Sequence, residues 1–418
     1  MKLKLEMIKI AKAAQEAARK LAAVSPELKN RVLKRMAARL LKQKNSILQA
    51  NRKDIIIAAK AQLSSVFIDR LTLNEKRIAE MADSLLAIAR LPDSVGQVIK
   101  EWKRPNGLLI KKVRTPIGVI AIIYESRPNV TSDCVGLTFK SGNSVILRGG
   151  SESLYSNIAI FNALRSAIKE SGIPEGVINL VTTPDRKAVD ILLGLNEYID
   201  LVMPRGGESL IRRVVELSRI PVIKHYKGIC HVYVDRDADL KMAMGVCFNA
   251  KVQRPGVCNA MESMLVHKGI AARFLPGMAR RFKAAGVQLR GCPVTCKMIK
   301  PCRRATERDF HTEYLDLILS VRVVNDIHQA IEHINYYGSH HSDSIITRNK
   351  KSAHEFLKKV DSACVYVNAS TRFTDGYQFG LGAEIGISTD KLHARGPMAL
   401  EELTTYKYTI LGNGQIRE

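Results

Sequence analysis

No apolar stretch of this chain approaches the ~20 residues that span a bilayer, so its sequence predicts no membrane-crossing helix. Tryptophan occurs once, and no pattern of a nucleic-acid-binding module is present. Acidic residues are also scarce, 40 against 65 basic ones, giving a formal net charge of +25. A basic surplus is the electrostatic footprint of phosphate binding. Here, however, Lys and Arg come as scattered pairs (Lys111-Lys112, Arg212-Arg213, Arg280-Arg281, Lys350-Lys351, Lys358-Lys359) rather than as a run. Solvated surface charge and small anionic ligands account for that pattern better than nucleic acid does. The eight cysteines (134, 230, 247, 258, 292, 296, 302, 364) follow no regular spacing, which argues against a disulfide framework and suits a reducing compartment. The N-terminus runs straight into an alanine-rich amphipathic segment, so the expectation is a soluble, cytoplasmic protein. No G-x-G-x-x-G follows a strand, and the usual announcement of a dinucleotide fold is therefore missing.

What is present is enough apolar residue, 46% of 418, for roughly two or three globular domains. Residues 5–92 repeat apolar positions at helical spacing, with Ser25-Pro26 opening a second helix and Thr72-Leu73-Asn74-Glu75 fitting a capping box before a third. Two β-prone runs flank Pro105-Asn106-Gly107 and predict a hairpin over 98–114. Apolar runs at 117–123, 144–148, 177–181, 199–203 and 221–224 then alternate with helical stretches, the pattern of a parallel sheet. A second series at 230–234, 260–267, 321–324, 343–347 and 363–367 predicts a second α/β domain. The run 404–411 is β-prone and can pair with the hairpin or with another subunit.

Three stretches carry chemistry. In Lys251-Val252-Gln253-Arg254-Pro255-Gly256-Val257-Cys258-Asn259-Ala260-Met261-Glu262, a helix over 237–250 is broken by Arg254-Pro255-Gly256 just before Cys258. That places a thiol on a tight loop, and the Arg254 guanidinium beside it favours the nucleophilic thiolate. The plainer alternative is a buried cysteine acting as a small hydrophobe. The other two, Leu147-Arg148-Gly149-Gly150-Ser151-Glu152 and Met203-Pro204-Arg205-Gly206-Gly207-Glu208-Ser209, each follow an expected strand. Glycines there let backbone approach a phosphate, although a strand-to-helix turn that needs glycine explains each as well. Cys292, Cys296 and Cys302 lie on a basic, proline-broken stretch with no fourth metal ligand nearer than His311, and read as free thiols.

Taken together, the blocks Tyr124-Glu125-Ser126-Arg127-Pro128-Asn129-Val130-Thr131, Pro204-Arg205-Gly206-Gly207 and Gln253-Arg254-Pro255-Gly256-Val257-Cys258-Asn259 resemble the gamma-glutamyl phosphate reductase family. The family is also called glutamate-5-semialdehyde dehydrogenase, a branch of the aldehyde dehydrogenase superfamily. Tyr337-Gly338-Ser339-His340-His341-Ser342-Asp343, Val367-Asn368-Ala369-Ser370-Thr371-Arg372-Phe373, Phe379-Gly380-Leu381-Gly382-Ala383-Glu384 and His393-Ala394-Arg395-Gly396-Pro397-Met398 extend the resemblance nearly end to end.

The resemblance implies an aldehyde dehydrogenase-like α/β fold of two Rossmann-like domains plus a β-arm for oligomerisation. It places an NADPH-binding domain at 1–97 and 116–227, a catalytic domain at 228–366, the arm at 98–115 and 390–418, and an active-site return segment at 367–389. The implied reaction is NADPH-dependent reduction of L-glutamyl 5-phosphate to L-glutamate 5-semialdehyde and phosphate, the second step of proline synthesis from glutamate. Cys258 would be the nucleophile and Asn129 an oxyanion donor. Arg148, Gly149, Ser151, Arg205, Gly206, Gly207 and Glu313 would line the cofactor, and Arg127, Arg254 and Arg372 would meet the substrate's anionic groups. His341 and Asp343 would either pair to buttress the substrate loop or contact substrate. No resident metal, nucleic acid or membrane enters, the chain is expected to be a homo-oligomer, and the glutamate 5-kinase that makes the labile substrate is a candidate partner. Hydrolytic members of the superfamily carry a glutamate before a Gly-Gly pair where this chain has Lys224-His225-Tyr226-Lys227-Gly228. Activating water would waste the acyl phosphate, so the missing carboxylate favours reduction over the alternative, a hydrolytic aldehyde dehydrogenase. His225 itself reads as structural.

Overall fold

The computed structural model describes residues 1–125 and 127–417; Ser126, inside the Tyr124–Thr131 block, lies outside the described residues, as does residue 418. The chain divides into two compact units, Met1–Lys224 with Gly380–Gly386 and Met398–Glu418, and His225–Phe379 with Ile387–Pro397.

The first unit begins with five helices, Lys2–Leu21, Pro26–Lys42, Lys44–Lys60, Ser65–Leu71 and Glu75–Arg90. Met7, Ala11, Ala14 and Ala18 recur every three or four residues on the first and pack against Val119, Ala121 and Ile123 of the sheet beneath. Ser25 caps the second as expected, its hydroxyl accepting from Leu28 N at 3.3 Å. The Thr72 capping box does not form: the Thr72 hydroxyl donates back to Ile68 O of the preceding helix, and Asn74 instead caps Glu75–Arg90, accepting from Arg77 N at 2.8 Å.

Strands β1 (Val98–Lys103) and β2 (Leu109–Pro116) form the hairpin, and the strand Thr404–Leu411 pairs antiparallel with β2, resolving its partner in favour of the hairpin. A four-stranded parallel sheet follows from β3 (Val119–Tyr124), β4 (Ser144–Arg148), β5 (Ile178–Leu180) and β6 (Leu201–Arg205) in the order β5-β4-β3-β6. Every residue of β3 and β4 is buried, as strands covered on both faces must be. The chain steps outward from β3 to β5, then returns to the other side of β3, so the carboxyl ends of β3 and β6 flank a topological switch point. The stretch 221–224 is not a strand. Val202 N donates to Pro221 O and Ile223 N to Val202 O, and the pairing ends there because Pro221 has no amide to extend it.

The second unit holds a seven-stranded parallel sheet of β7 (Cys230–Val234), β8 (Met261–His267), β9 (Gln288–Gly291), β10 (Arg303–Arg304), β11 (Ile318–Val324), β12 (Ser342–Ile346) and β13 (Cys364–Val367). Their order is β10-β9-β11-β8-β7-β12-β13. The apolar periodicity did not mark β9 and β10, whose polar residues alternate with few apolar ones. Phe274, Leu275, Met278 and Phe282 from the helix Lys268–Ala284 cover one face with Val232, Met264 and Val321, while Ile331, Ile334 and Phe356 help cover the other with Tyr233, Leu265 and Ile345.

Candidate active site

Cys258 sits where the sequence places it, on a partly exposed loop between the helix Leu240–Val252 and β8. The base of that loop is closed by a buried ion pair, Lys251 Nζ to Glu262 Oε2 at 2.7 Å, with Leu315 N on the other carboxylate oxygen at 3.1 Å. Burial pushes Glu262 up and Lys251 down, and each opposes the other's shift through its charge. Segment 370–374 grips the tip. Thr371 Oγ1 donates to Asn259 O at 2.8 Å, Asn259 Nδ2 donates to Thr374 O at 2.8 Å, and Arg372 donates to Asn259 Oδ1 and, through Nε at 2.9 Å, to Gln253.

The approach of Gly228 to this loop tolerates no side chain. A Cβ there would stand 1.9 Å from the Cys258 carbonyl oxygen, which accepts from buried Cys230 Sγ at 3.2 Å. Gly228 N donates to Glu313 Oε1 at 2.8 Å, so the residue expected beside the nicotinamide ribose is tied to the backbone that passes the nucleophile.

A ring nitrogen of His225, the Sγ of Cys258 and a ring nitrogen of His341 lie within 4.8 Å of one another, with the imidazoles edge to face at 5.6 Å. His225 Nδ1 is 2.8 Å from Ile387 O; a carbonyl only accepts, so Nδ1 carries a proton, an arrangement that in the neutral ring leaves the lone pair on Nε2. The sequence read His225 as structural; the fold sets it beside Cys258. Among the described residues these three also form a donor group able to hold a metal ion. Asp343 does not pair with His341. It bonds His231 instead, accepting from the backbone N at 2.7 Å and facing Nδ1 at 3.0 Å, because β12 and β7 set those residues side by side.

Of the expected substrate arginines, Arg254 and Arg372 share this unit. Burial, and then the like charge of Arg254, lower Arg372, a pair of guanidiniums that a bound anion would reconcile. Arg127 belongs to the first unit and is half-buried.

In the first unit the expected cofactor residues gather at the carboxyl ends of the parallel strands. Arg148 is buried, donating to Gly149 O at 2.8 Å and Pro184 O at 3.0 Å, while its Nε has no hydrogen-bond partner. Burial lowers this guanidinium from its ordinary value. A buried cationic donor left unsatisfied beside exposed Ser151 is chemistry that fits a phosphate-bearing cofactor. Arg205 ends β6 and Gly206 and Gly207 follow it, where Glu125 Oε2 accepts from Gly207 N at 2.9 Å at the start of the helix Glu208–Leu217. A Cβ on Gly206 would stand 2.4 Å from that same oxygen. Glu125 had drawn no role from the sequence. Asn129 is exposed at the start of the helix Val130–Lys140 and turns its amide to Asp133 Oδ2 at 3.3 Å.

The chain matches the aldehyde dehydrogenase family over residues 4–294. It is 56% identical over 418 residues to the gamma-glutamyl phosphate reductase of Thermodesulfovibrio yellowstonii, covering 100% of both chains. To that of Caldanaerobacter subterraneus subsp. tengcongensis it is 57% identical over 408 residues, 98% of this chain and 99% of the other. The crystal structure of gamma-glutamyl phosphate reductase from Thermotoga maritima superposes with a TM-score of 0.97 at 48% identity, covering 99% of this chain and 100% of that one. A probable aldehyde dehydrogenase from Listeria monocytogenes shares the fold at a TM-score of 0.72 and 15% identity, over 100% of this chain and 98% of that one. The fold is that of the aldehyde dehydrogenases, and the chain belongs to their gamma-glutamyl phosphate reductase family.

Proposed function

We propose that the chain reduces L-glutamyl 5-phosphate with NADPH to L-glutamate 5-semialdehyde and phosphate through a thioester on Cys258, the second step of proline synthesis from glutamate. The observation that carries this reading is Cys258 beside two imidazoles in a chain alike end to end with relatives named for that activity. His225 Nε2 takes the thiol proton, and the thiolate attacks the acyl carbon and expels phosphate. The backbone N–H of Cys258 and the Asn129 amide serve as donors to the oxyanion. A nicotinamide cofactor, when bound, supplies the hydride that converts the thioester to the aldehyde. Arg127, Arg254 and Arg372 take the substrate's carboxylate and phosphate, a task suited to planar guanidinium forks.

For the cofactor we assign Arg148, Gly149, Ser151, Arg205, Gly206, Gly207 and Glu313. The unbonded Nε of Arg148 favours NADPH over NADH, since the 2′-phosphate is the group that distinguishes them. We assign residues 1–97 and 116–227 to cofactor binding, 228–366 to catalysis and 367–389 to lining the site. Residues 98–115 and 390–418 form an arm through which the chain builds a homo-oligomer in the cytoplasm. Val98, Ile99, Tyr406, Tyr408, Ile410 and Leu411 all lie exposed on its sheet, an apolar surface that asks for a cover. Glutamate 5-kinase is the partner that would hand over the labile acyl phosphate.

One observation favours hydrolysis as the second reading: His225 stands close enough to Cys258 to activate a deacylating water. The reverse reaction separates the two. With glutamate 5-semialdehyde and NADP, NADPH formation requires phosphate and falls by at least about four orders of magnitude in Cys258→Ala. Turnover indifferent to phosphate establishes hydrolysis instead.

A further inference from the structure

The proposed chemistry leaves the thiols of segment 292–302 unused. Cys296, on the helix Pro293–Met298, and Cys302, one residue before β10, meet at an Sγ···Sγ separation of 2.6 Å. Sulfurs that ligate one tetrahedral zinc ion stand about 3.8 Å apart, whereas a disulfide needs ~2.05 Å, so this pair is set for a sulfur–sulfur bond and not for a shared metal. Backbone groups hold both sulfurs in place: Cys296 Sγ donates to Gly291 O at 3.4 Å, and both reach Arg303 O at 3.6 Å. Gly291 makes room for the arrangement, since a Cβ there would stand 2.6 Å from Cys302 Sγ. The third thiol is engaged elsewhere, Cys292 Sγ contacting Thr295 Oγ1 at 3.2 Å and accepting from Val323 N at 3.5 Å. Cys302 also lines a cavity of about 560 Å³ whose walls include Arg280, Lys283, Lys300 and Arg303, which gives small oxidants access to the pair, while burial and the neighbouring Cys296 push the Cys302 thiol up to about 12.

We propose that Cys296 and Cys302 form a reversible dithiol–disulfide couple that is closed by hydroperoxides. One thiolate attacks the peroxide O–O bond and becomes a sulfenic acid, releasing water or the corresponding alcohol. The second sulfur attacks the sulfenic sulfur, the S–S bond forms and water leaves. The pair loses two electrons, the peroxide gains two, and both thiol protons end on oxygen. The bond ties the helix Pro293–Met298 to β10, the edge strand of the seven-stranded sheet, which holds to β9 by only Arg303 and Arg304. The couple is independent of the reductase reading.

The test treats reduced full-length protein with hydrogen peroxide, blocks remaining thiols with iodoacetamide and maps the peptides with and without dithiothreitol. A Cys296–Cys302 linkage is expected, with two thiols lost from the eight and a thermal midpoint raised by a few degrees, all reversed by dithiothreitol. Cys296→Ser and Cys302→Ser should each abolish the midpoint shift, and the variant that keeps the attacking cysteine should leave a sulfenic acid that dimedone traps. Recovery of both cysteines as free thiols after Cys258 is fully oxidised overturns the proposal, as does a linkage from Cys292 to either. The wild-type peptide map decides even if the serine variants fold poorly.

Discussion

The two parallel sheets of this chain use opposite edges. In the first unit the candidate ligand residues end or follow their strands: Glu125 after β3, Arg148 closing β4 with Gly149 after it, Arg205 closing β6 with Gly206 and Gly207 after it. In the second they precede them: Gly228 before β7, Cys258 before β8, His341 before β12. At a carboxyl edge helices begin, and their free N–H groups and positive dipole ends suit phosphates. At an amino edge helices end. The helix Leu240–Val252 delivers its carbonyl terminus towards the nucleophile loop, a field that disfavours a thiolate. Helix termini that help bind an anion in one unit therefore give no help to a thiolate in the other, and the proposed activation of Cys258 rests on side chains, namely Arg254, His225 and His341.

The sharpest test of that division is His225→Asn, expected to lower turnover about a hundred- to a thousandfold and to slow iodoacetamide alkylation of Cys258 near neutral pH. If alkylation is unchanged in that variant but slows in Arg254→Ala, the guanidinium alone activates the thiol. Next comes Gly228→Ala. Its Cβ displaces the Cys258 carbonyl, and a shift of about 1 Å costs on the order of a hundredfold in turnover, read beside thermal unfolding to separate misplacement from misfolding. At the other edge the effect should fall on binding: Arg148→Met is expected to raise KM for NADPH about tenfold while leaving kcat and KM for NADH nearly unchanged. A kcat effect there would blur the comparison.

The smallest expected effect concerns pH. Lys391 and then Arg395 hold the Asp361 carboxyl down at about 2. Because its folded value lies below the unfolded one, its contribution is present above about pH 4 and is lost as pH falls through about 2. Asp361→Asn should therefore lower the thermal midpoint slightly at pH 7 and progressively less as pH falls through about 2, the ion pairs being partly solvent-screened.

Elements buried on both faces were the easiest to foresee where β3, β4 and β7 each spell a largely apolar run. The nucleophile loop was legible for a related reason, its Arg-Pro-Gly break being local chemistry. Contacts made by the fold rather than by the neighbouring sequence were not. His231 and Asp343 meet only because β7 and β12 are adjacent, and His225 gains its meaning from Ile387 and Cys258, both distant in sequence. Thr72 and Asn74 both satisfy capping rules, and the choice between them was made by the helix before, which claimed the threonine hydroxyl. The meeting of Cys296 with Cys302 likewise depends on how a short helix turns into an edge strand.

The ion pair between Lys251 and Glu262 gives the nucleophile loop the character of a closed ring. A ring closed at a buried base has little conformational entropy to gain by local opening, since its ends stay together unless two charges part away from water. Amide hydrogens in the loop should then exchange only with those of the surrounding sheet, and the nucleophile inherits the stability of the core beneath it rather than the looseness of a surface turn.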